Sequence, residues 1–75
     1  MTELGLVIIW TNGTVTSFDT SGHQVPSCQG DFKDVAETIL EASSSLTEFY
    51  FGCTAPATML PLSRSGFARM VRKLS

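Results

Sequence analysis

The hydrophobic pattern begins with an unbroken apolar run, Leu4–Trp10. A polar break, Thr11-Asn12-Gly13-Thr14, follows, and then the alternating run Val15-Thr16-Ser17-Phe18. Asn-Gly between two strand-like segments is the strongest short-range hairpin signal, because a type I′ turn needs positive φ at both central residues. The pattern therefore predicts antiparallel strands over Leu4–Thr11 and Thr14–Asp19. With Asn12 and Gly13 as a two-residue loop, Thr11 faces Thr14, Trp10 faces Val15, Ile9 faces Thr16 and Val7 faces Phe18. Side chains alternate along a strand, so this register puts Val7, Ile9, Thr16 and Phe18 on one face. Leu4, Leu6, Ile8, Trp10, Val15 and Ser17 take the other. A first strand that is apolar on both sides marks the interior of a sheet.

Further along, Asp19-Thr20-Ser21-Gly22 reads as a second turn. His23–Val25 reads as a short third strand, with Phe18 opposite His23 and Val25 opposite Thr16. Pro26 ends it, as suits an edge, and Gln29-Gly30 reads as a breaker. Asp31 is placed to cap a helix whose first turn carries Asp34. Phe32, Val35, Ala36, Ile39 and Leu40 form one helical stripe, opposite Asp34, Glu37, Thr38 and Glu41, and the serines at 43–45 end it. Thr47–Cys53 is strand-like, with Phe49, Phe51 and Cys53 on one side and Glu48 and Tyr50 on the other. A strand that follows a helix should lie parallel to its neighbour by a right-handed crossover, and the slot beside the first strand gives the order 3-2-1-4. Residues 52–62 read as a loop, apolar for its class through Ala55, Ala57, Met59, Leu60 and Leu62, that packs on the core or on a partner. Ser63 or Ser65 caps a last helix with the stripe Phe67, Met70, Val71 and Leu74.

These elements predict a single α+β domain over residues 1–75. Its fold class is a two-layer ββ(β)αβα sandwich with a mixed sheet of three to four strands and both helices mainly on one face. The helices are expected over Val7, Ile9, Phe18, Val25, Phe49 and Phe51. The open face would carry Leu4, Leu6, Ile8, Trp10, Val15 and Tyr50, an apolar patch of the kind that marks interaction surfaces. A helix, or the stretch around Met59 and Leu60, could instead fold across it. Otherwise its occupant is a second copy or another protein. The functional expectation is a non-catalytic protein–protein interaction module, a small accessory, adaptor or inhibitor protein that self-associates into a homodimer through this face.

Composition sharpens this in three ways. At 75 residues and 43% apolar content the chain can fold, but around a small core that a partner would reinforce. The longest apolar run is far short of the roughly 20 residues of a membrane span. Glu3 stands where a secretory signal would be basic, so the cytoplasm is the expected location. Charge is segregated: the first 63 residues hold all seven acids and one cation, Lys33, whereas Arg64, Arg69, Arg72 and Lys73 crowd the last 12. Arg69, Arg72 and Lys73 share a helix face, with Arg64 near its start. They are candidates for contact with phosphate or an acidic partner, which makes a nucleic-acid-associated regulator the alternative function. Against it stand the formal charge of −2, the preference of cations for helix C-termini, and an acidic stripe (Asp34, Glu37, Glu41) that could face them.

Catalytic chemistry finds little footing. Cys28 or Cys53 could meet His23 as a nucleophile–base pair, but nothing supplies an oxyanion hole or a third group. Two cysteines and one histidine match no zinc spacing, and the scattered glycines build no phosphate loop. No cofactor, metal or small-molecule substrate is expected, nor any membrane partner.

Overall fold

A computed structural model describes residues 3–54 and 57–74. The chain runs β1 (Leu4–Trp10), β2 (Thr14–Asp19), a 3-10 turn (Pro26–Cys28), β3 (Gly30–Asp31), α1 (Phe32–Ala42), β4 (Glu48–Thr54), β5 (Ala57–Leu62) and α2 (Arg64–Arg72). The five strands form one mixed sheet in the order β3-β2-β1-β4-β5, with β4 parallel to β1 and the other pairs antiparallel. The α+β class, the interior position of β1 and the parallel crossover to β4 are as expected. Both helices lay their stripes on one face of the sheet. Phe67 of α2 is the keystone there: it is fully buried, stacked on Phe49 at 4.6 Å and edge-on to Phe32 of α1 at 5.7 Å.

The first hairpin departs from expectation by one residue. Observed partners are Ile9 with Val15, Ile8 with Thr16, Val7 with Ser17 and Leu6 with Phe18. Asn12 does not have positive φ, and only Gly13 does, at 89°. The Gly13 amide donates to the Trp10 carbonyl at 3.0 Å. The loop is therefore three residues long, a type I turn followed by a left-handed glycine, and not the two-residue type I′ turn. The second turn repeats it: the Gly22 amide donates to the Asp19 carbonyl at 3.0 Å, and Gly22 also has φ 89°. A one-residue slip exchanges the faces of β2. Val15 joins the core and Phe18 leaves it. Ser17 becomes fully buried, its hydroxyl donating to the Cys28 carbonyl at 2.7 Å.

Leu4 changes face for a second reason. The register shifts between Leu4 and Leu6, leaving Gly5 as the extra residue of a bulge against Asp19. A Cβ at Gly5 would stand 3.0 Å from the Asp19 carbonyl oxygen and 3.1 Å from Thr20 Cα, so glycine lets the two backbones approach. The bulge flips the alternation and turns Leu4 inward, where it is fully buried. Thr47, also buried, donates from Oγ1 to the Leu4 carbonyl at 2.7 Å and fastens the α1–β4 turn to this irregular strand start.

Two further expectations are corrected. His23–Val25 makes only an isolated bridge, Gln24 to Phe18, one residue off the expected Phe18–His23 pair. The third strand is instead Gly30–Asp31, paired with Thr14 and Val15. Asp31 does hold the N-cap position of α1, but its side chain makes no capping bond. The Phe32 amide is satisfied by the Gly13 carbonyl at 2.8 Å, so the hairpin tip caps the helix. Ser63 caps α2, its Oγ accepting from the Gly66 amide at 3.0 Å. Finally, residues 57–62 are not a loop but strand β5, antiparallel to β4, with Pro61 opposite Tyr50. Ala55 and Pro56 of the expected loop lie outside the described residues.

Candidate functional site

The helices shield Leu4, Val7, Ile9, Val15 and Phe49, with Phe51 and Leu62 packed against that core. The opposite face follows from the alternation and the observed registers: Leu6, Ile8 and Trp10 from β1, Thr16 and Phe18 from β2, Glu48, Tyr50 and Gly52 from β4, Met59 and Pro61 from β5. Among the described residues no helix lies across it. The molecule measures 35 × 30 × 20 Å, and its thinnest dimension is filled by one sheet and one layer of helices, each roughly 10 Å thick.

Of the residues expected on this face, Leu6, Ile8, Trp10 and Tyr50 are on it, while Leu4 and Val15 are core. Phe18, Met59 and Pro61 belong to it and were missed. The signal for Phe18 was the glycine of a three-residue turn, and for Met59 and Pro61 the alternation Thr58/Leu60/Leu62 against Ala57/Met59/Pro61. Charge on the face is marginal among the described residues: Glu48 at the start of β4 and, through its pairing with Thr14, Asp31 on β3.

Trp10 organises the centre. Its indole donates from Nε1 to Thr16 Oγ1 at 2.9 Å and packs against Gly52. A Cβ at Gly52 would stand 2.8 Å from the indole carbons and from Ile8 Cγ2, so only glycine admits the ring there. Ile8 is left 8% exposed by these neighbours, and Leu6, Phe18 and Tyr50 are half-buried around it. Met59 is 46% exposed at the β5 side. The result is a low aromatic platform on which the Trp10 indole N–H is already satisfied by Thr16. A shallow groove lined by Trp10, Cys53, Ala57, Thr58 and Met59 runs along the end of the sheet beside it.

The other expected residues fall elsewhere. Arg64, Arg69, Arg72 and Lys73 are exposed on or just beyond α2. The Arg64 Nε donates to Ser43 Oγ at 3.0 Å. Among the described residues the one close contact between an acidic and a basic side chain is His23 Nδ1 to Asp19 Oδ1 at 3.9 Å, so the acidic residues of α1 do not ion-pair with the basic stripe. His23 and Cys53 stand at opposite ends of the sheet, beside the start and the finish of β1. Cys28 is buried, with its carbonyl bonded to Ser17. No cysteine–histidine pair is assembled. Among the described residues no cluster of His, Cys, Asp or Glu could hold a metal ion, and no helix is long and apolar enough to cross a membrane.

No family model, curated protein or solved structure matches the chain.

Proposed function

We propose that the protein is a non-catalytic protein–protein interaction module whose open sheet face docks on the same face of a second copy. One observation carries this reading: the face is apolar and aromatic from Leu6 to Met59, and neither helix covers it. The uncharged centre of the face favours a second copy as the occupant. With only two marginal acids, Glu48 and Asp31, the face has an uncharged centre with no electrostatic complement to seek, whereas two such centres related by a two-fold axis match apolar to apolar. Strands about 4.8 Å apart and roughly 20 Å long give on the order of 400 Å² of flat area per copy. Two copies would bury close to the roughly 1,000 Å² at which specific interfaces begin, so the pairing is weak and sensitive to single residues.

Tyr50→Lys tests it. Tyr50 is half-buried on the face and makes no side-chain hydrogen bond among the described residues, so its loss costs the fold little. Sedimentation at micromolar to submillimolar concentration should show the wild type self-associating and the variant at half that mass. A wild type that stays monomeric throughout, or a variant that associates equally well, overturns the reading. Trp10→Glu is a poorer probe, because it would also uncover Gly52 and Ile8.

The exposed basic stripe of α2 favours a second reading, contact with nucleic-acid phosphate or an acidic partner. Binding to nucleic acid should then fall steeply with salt and be lost in Arg69→Glu/Arg72→Glu. No retention on a nucleic-acid column at low salt ends that reading.

A further inference from the structure

The two edges of the sheet are not alike. On one side β3 is two residues long and carries Asp31, so it offers almost no template for another strand. On the other side β5 is six residues long, carries no charge from Ala57 to Leu62, and has five of its six residues exposed, Leu60 at 63%. Charged side chains, proline, bulges and covering elements are the usual protections of an edge, and of these β5 carries one proline, Pro61. The β4–β5 register is continuous, so β5 has no bulge.

Its free backbone groups can be assigned. The Gly52 carbonyl accepts from the Thr11 amide at 3.2 Å and thus points toward β1. Directions alternate along a strand, so Phe49, Phe51 and Cys53 point their backbone groups at β5. Their partners Leu62, Leu60 and Thr58 point back. Ala57, Met59 and Pro61 therefore aim outward. Pro61 lacks an N–H and offers only its carbonyl. Its place in the outward set explains why proline is tolerated in this strand.

We propose that the outer edge of β5 pairs antiparallel with β5 of a second copy, about a two-fold axis at Met59. In that register Met59 exchanges both backbone bonds with the partner's Met59. The Ala57 amide meets the carbonyl of the partner's Pro61, so the missing proline donor falls at the end of the ladder, where the opposing carbonyl stays in water. No charges oppose one another, since β5 has none. The paired strands join two sheets edge to edge and make one platform of the two open faces. Edge pairing and face docking run in perpendicular directions, so both fit one closed assembly of four with two-fold axes. This inference does not depend on the face reading.

Met59 carries a side chain on the open face and an amide on the edge, so two substitutions separate them. Met59→Pro removes the outward amide, and Met59→Ala removes the side chain but keeps the amide. Sedimentation in the Tyr50→Lys background isolates the edge. Pairing there should weaken about tenfold or more with Met59→Pro and only slightly with Met59→Ala. Equal effects of the two, or no association in that background, overturn the proposal. Amide hydrogen exchange of the otherwise unaltered Tyr50→Lys chain covers the case in which Met59→Pro does not fold. The Met59 amide should become protected as concentration rises. Exchange at the free rate at every concentration overturns the proposal.

Discussion

Gly52 and Trp10 are one device made of two residues. The indole needs room on the open face, and only a residue without a Cβ provides it directly beside Ile8. Gly52→Ala should therefore destabilise the fold by about 1–3 kcal/mol, as overpacking does, and shift the Trp10 emission as the ring lifts off, measurable in one urea titration followed by fluorescence. Ser17 plays a comparable part inside. It is a buried hydroxyl between apolar neighbours, kept there by the Cys28 carbonyl 2.7 Å away. Ser17→Ala should cost about 1–2 kcal/mol in denaturant unfolding, because the carbonyl loses its hydroxyl partner in a dry site. Were Ser17→Ala neutral, the bond would contribute nothing net to holding the 3-10 turn against β2.

Among the elements, the turns decide which residues face which way. Gly13 and Gly22 take the same left-handed φ at the ends of equivalent three-residue loops. Gly13→Ala should cost about 1 kcal/mol or more from backbone strain alone, since its Cβ would meet open space. This is also where the sequence is least explicit. Thr14–Asp19 has one large apolar residue on each of its alternating sides, Val15 and Phe18, so its pattern accepts either register. Asn-Gly then fits both a two-residue and a three-residue loop, and the slip moves Val15 inward and Phe18 outward. The bulge at Gly5 is hidden for a related reason: Leu4 reads as equally apolar whichever side it takes. Helix α1, by contrast, is legible from Phe32 to Leu40 because a stripe at 3.6-residue spacing admits one face only. Strand β5 was obscured by Pro61, which reads as a loop residue until its outward orientation is seen.

At the scale of the whole molecule, a chain of 75 residues with stability on the order of 4–11 kcal/mol rests on one cluster where both helices meet the sheet. Phe67→Ala should remove about 3–5 kcal/mol and leave the domain partly or wholly unfolded at 37 °C, visible in thermal melts by circular dichroism. That same economy leaves the other side of the sheet bare. Two helices suffice for one layer, and the second side is tiled with Leu6, Ile8, Trp10, Phe18 and Tyr50 where a solitary domain would place polar groups. The most direct measurement is the concentration dependence of side-chain resonances in a labelled sample. Dilution from submillimolar to low micromolar should move the Ile8 methyls, the Trp10 indole N–H and the Tyr50 ring, and leave Val35, Ile39 and Val71 beneath the helices unchanged. Shifts confined to α2 and its arginines, or none at all, would contradict the account.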